Sequence, residues 1–305
     1  MTGKASRRLL AVRDRARRLV RGGAGEAREV GGLERPGGGR AIFPTAWART
    51  KPVRALREVV QVAGLKPLLQ GEVSLDVSGV EELSQFHRPA LIVANHSSHL
   101  DTAVLLCTLP ADRRRRTAVA AAADYFYTTL WRALGSSVAF NTFPIERQGG
   151  SESSLPGELL AAGWSLIVYP EGTRSPDGFP GRFRMGAAWL AVQHQVPVIP
   201  VGLRGTYAAM PRGRSWPRPG RTRVAVRYGA PLIPQPGETV REFAPKVATA
   251  VRELIAEDAT SWWAVRRGAG IQEAEPPAGS WRRIWEQTAA PTQGGKPRVT
   301  KIWRS

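Results

Sequence analysis

Residues 90–101 read Ala90-Leu91-Ile92-Val93-Ala94-Asn95-His96-Ser97-Ser98-His99-Leu100-Asp101, and this stretch decides the fold. The short unbroken apolar run Ala90 to Ala94 is the pattern of a strand covered on both faces. Similar runs return at Trp164 to Tyr169 and Val198 to Val201, with helical spacing between them at Thr102–Leu109, Leu155–Ala162 and Met185–His194. Strands alternating with helices predict a layered α/β domain: a central, mostly parallel or mixed sheet flanked by helices.

Outward from this centre, Val73, Leu75 and Val77 alternate with Ser74, Asp76 and Ser78, the period of a half-buried strand. Arg223 to Tyr228 alternates as a late strand. Thr239 to Ala259 reads as a long helix with Val240, Phe243, Val247, Val251 and Leu254 on one stripe. Upstream, Val53, Leu56, Val60 and Ala63 recur at helical spacing within Val53 to Leu69, with Arg54, Arg57 and Lys66 on other faces. Two readings of that helix stand side by side: one lying on a membrane surface, the other packed on the core with solvated arginines. Residues 1–50 join a basic segment to a Gly-rich stretch and read as a mobile arm. Residues 51–267 read as the folded domain and 268–305 as a poorly packed tail rich in Trp, Arg and Pro.

The chain has 305 residues, 42% hydrophobic and 23% charged, enough to bury a sizeable core. Its single cysteine, Cys107, excludes a disulfide framework or a cysteine-built zinc site and fits a reducing compartment. Cys107 lies in an apolar helical pattern and reads as core rather than nucleophile. No apolar run approaches the roughly 18 residues of a spanning helix. The segment Leu9 to Val12, after Lys4, Arg7 and Arg8, is too short for a secretory signal. Lys and Arg total 44 against 25 Asp and Glu, a net +19 that points to an anionic partner: phosphate, nucleic acid or acidic lipid. Arginine dominates this excess, and a GC-rich coding bias produces the same composition. The runs Arg113 to Arg116 and Arg212 to Arg223 read equally as phosphate contacts or as solvated surface.

The chemistry gathers after the apolar runs, at the carboxyl ends of strands where α/β sheets form ligand sites. His96 can accept a hydroxyl proton, and Asp101 can hold its other ring nitrogen if the intervening residues form a tight turn. His99 is the competing base, and Asp101 alone reads equally as a helix cap. In Tyr169-Pro170-Glu171-Gly172-Thr173-Arg174-Ser175, Gly172 allows close backbone approach and Arg174 offers a planar fork of donors to a phosphate. Glu171 can bond a hydroxyl or orient the arginine. Taken alone, the same residues read as a surface turn. Phe143-Pro144-Ile145-Glu146-Arg147 places an arginine after a strand, and Val196 to Val201 is a strand with Pro197 at its entry and Pro200 at its exit.

Together these blocks resemble the glycerolipid acyltransferase family, in particular the 1-acyl-glycerol-3-phosphate (lysophosphatidic acid) acyltransferases. The H-x4-D block is Asn95-His96 to Asp101, the phosphate-arginine block Phe143 to Arg147, the E-G-T-R block Pro170 to Ser175, and the proline block Val196 to Pro200. One block specifies little, whereas four in the family's order over about 110 residues are specific. The resemblance covers Val73 to Tyr228 and leaves both tails unexplained. Tyr169 stands where the family more often has Phe, and Arg184 in Phe183-Arg184-Met185-Gly186 where a lysine is common.

The resemblance implies that His96 is the general base for an acceptor hydroxyl attacking an acyl thioester, with Asp101 orienting it. Arg147, Glu171, Gly172, Thr173 and Arg174 would bind the glycerol-phosphate acceptor. It implies no acyl-enzyme nucleophile, metal or cofactor, the donor being acyl-CoA or acyl carrier protein. It also implies a peripheral place on the cytoplasmic face of the cell membrane, against an anionic surface. The expected reaction converts lysophosphatidic acid to phosphatidic acid. Glycerol 3-phosphate, another lysophospholipid or a glycolipid hydroxyl is the alternative acceptor. A reading of a different class is a basic module gripping nucleic acid or acidic lipid, with Trp262, Trp263, Trp281, Trp285 and Trp303 as stacking platforms. No nucleic-acid motif accompanies them, so no nucleic-acid partner is expected.

Overall fold

Alternate residues of the central strands feed two different cores, and this places the sheet in the middle of the domain. The computed structural model describes residues 44–123, 130–145 and 154–257. Most of the arm, the tail with its tryptophans, and Arg147 lie outside the described residues. A 3₁₀ turn at Ala46–Arg49 leads into α1 (Lys51–Val59), which continues through a π-helical stretch (Val60–Leu65) into α2 (Lys66–Glu72). Then follow β1 (Val73–Ser78), α3 (Val80–Gln85), β2 (Leu91–Ala94), α4 (Leu100–Thr108), α5 (Ala111–Arg115) and β3 (Thr117–Ala122). Next come α6 (Leu130–Phe140), β4 (Thr142–Ile145), α7 (Leu155–Ala161), β5 (Ser165–Val168) and α8 (Gly186–His194). The described chain ends with β6 (Val198–Arg204), α9 (Thr206–Ala209), β7 (Thr222–Tyr228) and α10 (Val240–Glu257).

The seven strands form one mixed sheet in the order β1-β7-β6-β2-β5-β3-β4. Neighbours from β6 through β4 are parallel, β7 is antiparallel to β6, and β1 is parallel to β7. Ile92, Ala94, Ile167, Ile199 and Val201 face one core, which α4 covers with Val104, Leu105 and Leu106. Leu91, Val93, Leu166, Val168 and Val198 face the other, covered by Leu159 and Leu160 of α7, Ala188 of α8 and Phe243 and Val247 of α10. The layered α/β architecture expected from the apolar runs is the one observed. Gly202 permits a close approach, since a Cβ there would meet Leu254 and Ile255 of α10 at 2.8 Å.

Three details differ from the sequence reading. Thr117–Ala122 is a buried strand although its Ala-rich sequence carries no β signal, because burial between β5 and β4 overrides propensity. Pro200 lies inside β6 rather than at its exit. On one side Pro200 pairs with Val93 of β2; on the other, β7 ends at Tyr228 opposite Val201, and Pro200 O accepts from Gly229 N at 2.9 Å. Arg57 is buried, not solvated, at 5% exposure. Its guanidinium donates to the carbonyls of Val138, Ser137 and Ala48, satisfying acceptors at the carboxyl end of α6. Burial, reinforced by the charges of Arg49 and Arg54, pulls its pKa down to about 10.

The segment 51–72 thus packs one face on the domain through Arg57, Gln61 and Leu69 while Leu56, Val59, Val62 and Leu68 stay exposed. Of the two readings of that helix, packing on the core is observed, with Arg57 buried rather than solvated. Arg113 and Arg114 are also buried. Arg113 lies over the Phe86 ring and donates to Arg88 O and Ser165 Oγ, and Arg114 pairs with Glu58 at 2.7 Å. Among the described residues, no helix is long and apolar enough to cross a membrane.

Candidate active site

Strand β2 delivers the chain to the site and a side chain takes over where the ladder stops. Asn95 donates through Nδ2 to Leu203 O at 2.9 Å and accepts Leu203 N–H at 2.8 Å through Oδ1. This two-point clamp fixes the chain against β6 and leaves His96 to turn out of the sheet. Ser97 Oγ then hydrogen-bonds with Thr206 Oγ1 at 3.0 Å, and Ser98 Oγ donates to Met210 O at 2.7 Å. Residues 95–98 are therefore tied to β6 at two points and to the segment following it at two more.

His96 Nδ1 lies 2.9 Å from Asp101 Oδ2. The same carboxylate oxygen accepts the backbone N–H groups of Ser97 (2.7 Å) and Ser98 (2.9 Å). Asp101 sits in the first turn of α4 and is fully buried. The tight turn needed to join His96 to Asp101 is present, and the carboxylate holds imidazole and turn together. Because that oxygen accepts, the Nδ1 position carries a proton, which leaves Nε2 as the nitrogen that exchanges one. The His96 side chain is 19% exposed, so the imidazole reaches the surface of the site. Burial, together with the charges of Arg174 and His96, pulls the pKa of His99 down to about 4 and keeps it neutral.

The second block closes against the first. Strand β5 ends at Val168, next to β2 in the sheet, so Tyr169 to Ser175 emerges beside His96. The Tyr169 ring stacks on the His96 imidazole. Glu171, expected to bind the acceptor, directs both oxygens to main chain: Oε1 accepts His96 N–H at 2.7 Å and Oε2 accepts Gly181 N–H at 2.8 Å. Burial raises its pKa, and these two hydrogen bonds oppose the rise. Ser175 N–H returns to His96 O at 2.7 Å, locking the two loops together.

Gly172 has φ +70°, a left-handed conformation that suits glycine, and a Cβ there would approach the Arg184 guanidinium at 3.1 Å. Arg184 thus lies directly against the E-G-T-R turn. Thr173 is exposed and Arg174 half-buried. Phe143 is buried in β4, whose carboxyl end faces the same side of the sheet as that of β2. Cys107 points into the core, and burial pushes its thiol up to about 11, so it is no nucleophile.

The contacts of Tyr169 and the clamp of Asn95 were not read from the sequence. The only available signal was the departure from phenylalanine at position 169, and a ring stack leaves no trace in spacing. The arrangement as a whole is an imidazole held at one nitrogen by a buried carboxylate, part-exposed, and flanked by a glycine turn with Arg174 and Arg184 against it. It can take a proton from a hydroxyl and hold an anion beside it.

A family model described as Acyltransferase matches residues 74–204. The chain is 30% identical over 142 residues to the chloroplastic 1-acyl-sn-glycerol-3-phosphate acyltransferase of Brassica napus, a match covering 45% of this chain and 39% of that protein. It is 36% identical over 121 residues to the beta form of the same-named enzyme of Homo sapiens, covering 37% and 41%. The chain spans about 40% of the length of these curated relatives. The crystal structure of the 1-acyl-sn-glycerophosphate (LPA) acyltransferase PlsC from Thermotoga maritima superposes with TM-score 0.56 at 25% identity, covering 73% of this chain and 86% of that one. Residues 74–204 thus match the acyltransferase family model, carry the four motif blocks in order and assemble the imidazole–carboxylate pair on a fold similar to that crystal structure.

Proposed function

We propose that this protein transfers a fatty acyl group from an acyl thioester to the free hydroxyl of lysophosphatidic acid, producing phosphatidic acid. The observation that carries the reading is the His96–Asp101 pair at the carboxyl end of β2, beside the glycine turn of β5. His96 Nε2 takes the hydroxyl proton as the acceptor oxygen attacks the thioester carbonyl carbon. The tetrahedral adduct collapses with cleavage of the C–S bond, and the imidazolium returns the proton to the departing thiolate. Ester, free thiol and neutral histidine result, so atoms and charge balance without an acyl-enzyme. Asp101 keeps the proton on Nδ1 and stabilises the imidazolium. Arg147, Gly172, Thr173 and Arg174 bind the glycerol-phosphate acceptor, and Glu171 shapes the loop that presents them.

The donor is acyl-CoA or acyl carrier protein. The acceptor lies in a bilayer, which supports a peripheral place on the cytoplasmic face of the cell membrane. The exposed stripe of Leu56, Val59 and Val62 and the net charge of +19 also favour an anionic leaflet.

Incorporation of labelled oleoyl-CoA into lipid tests the reading, with lysophosphatidic acid, glycerol 3-phosphate and a lysophospholipid panel offered in parallel. Label in phosphatidic acid that vanishes in His96→Ala is the expected result. Label on another acceptor moves the substrate and keeps the base. Activity persisting in His96→Ala removes the assignment of the base.

A further inference from the structure

A second concentration of positive charge lies far from His96. Arg114 and Arg115 of α5 immediately precede β3, whereas His96 and Glu171 follow β2 and β5. All three strands are parallel neighbours, so the arginines and the histidine stand at opposite ends of the sheet. Between α1 and α5 is an open cavity of about 260 Å³ lined by Lys51, Arg54, Arg57, Glu58, Arg114 and Arg115. One carboxylate faces five cations there.

The cavity is built rather than incidental. Arg57 is held by three main-chain carbonyls, and burial, with the charges of Arg49 and Arg54 added, lowers its pKa. Arg114, 7% exposed, is fixed by Glu58 at 2.7 Å, and Arg115 approaches the same carboxylate at 3.4 Å. The Arg54 guanidinium lies over the Trp164 ring, 5.6 Å from its centroid. The Nε atoms of Arg54 and Arg114 are buried without a hydrogen-bond partner among the described residues. Burying an unmatched donor costs free energy, and a cluster of fixed cations around such donors is relieved by an anion with several acceptor oxygens. At 100° per residue, Lys51, Arg54 and Glu58 share one face of α1, and exposed Leu56 lies on the opposite face.

We infer that the cavity between α1 and α5 is a binding site for a phosphate group, carried either by the head group of a bilayer lipid or by a soluble phosphate ester. It is separate from the acyl-transfer site and does not depend on that reading. The test uses the full-length protein and reads binding, not activity. Lys51→Gln/Arg54→Gln removes two cations from the cavity, and Arg241→Gln/Arg252→Gln removes two exposed cations from α10 as a charge-matched control. Co-sedimentation with phosphatidylcholine vesicles, with and without phosphatidylglycerol, forms one arm. Thermal melting with added inorganic phosphate forms the other.

The cavity pair should weaken binding to the anionic vesicles by about fivefold for each cation removed, or abolish protection by phosphate, while the control pair leaves both nearly unchanged. Loss in the vesicle arm alone identifies a lipid head group, and loss in the phosphate arm alone a soluble ester. Equal losses from both pairs, or no effect of the cavity pair in either arm, overturn the inference. Arg115→Gln, at a half-exposed position, repeats the test without disturbing the stack on Trp164.

Discussion

The ring of Tyr169 lies 4.1 Å from that of His96, with the two planes only 18° from parallel, and the Tyr169 hydroxyl hydrogen-bonds with Thr102 Oγ1 at 3.0 Å. Thr102 follows Asp101 on α4. The helix that supplies the carboxylate for one edge of the imidazole therefore also anchors the ring that covers its face.

Tyr169 is accordingly a positioning residue for His96. Tyr169→Phe keeps the stack and should cost about 1 kcal/mol of stability with a small change in kcat. Tyr169→Leu should lower kcat by about 10- to 100-fold at near-constant KM and shift the pH–rate profile, because the imidazole loses its plane. Profiles that coincide in shape for all three proteins would reduce the stack to packing.

Asp101→Asn preserves volume but removes the charge that favours a protonated Nδ1. By analogy with other carboxylate-oriented histidines, kcat should fall by about 10³- to 10⁴-fold while KM moves little. Steady-state kinetics beside a thermal melt would separate this loss from unfolding.

Glu171→Gln substitutes a donor for one of two acceptors, so His96 N–H or Gly181 N–H is left without its partner. The expected cost is about 1–3 kcal/mol in chemical denaturation, with faster proteolysis at Arg182 and Arg184. Unchanged stability combined with a raised KM for the acceptor would return Glu171 to direct substrate contact.

His99 gives the fold a pH dependence of defined sign. Its pKa, about 4 when folded, lies below the ordinary value of 6.5, so between these limits the unfolded chain binds more protons. Stability from the neutral ring is complete above pH 6.5 and is lost as pH falls toward 4. Denaturation midpoints of His99→Gln should therefore fall less steeply than wild type across that window, and parallel curves would contradict the assignment.

What the sequence disclosed is what repeats locally. The apolar runs Ala90 to Ala94 and Trp164 to Tyr169 announced two strands; that they are parallel neighbours, which brings the residues after them together, is seen only in the fold. Boundaries shifted by a few residues, as for α4, which starts at Leu100 rather than Thr102. Thr117–Ala122 escaped because alanine is ambiguous until neighbours bury it. Arg57 escaped for another reason: its partners Ser137 and Val138 lie 80 and 81 residues away, and an exposed helix pattern carries no sign of them. The same holds for Tyr169 and Thr102, 67 residues apart. Long-range polar contacts belong to the assembled fold and not to any window of sequence.

The amides of His96, Ser97 and Ser98 are consecutive, and each already donates to a carboxylate of the protein, the first to Glu171 and the other two to Asp101. A row of main-chain donors after a strand is the usual place to look for an oxyanion hole. Here every proton in that row is spent on holding the histidine. In the proposed acyl transfer, the negative charge that gathers on the carbonyl oxygen must then be met by donors other than the amides of residues 96–98.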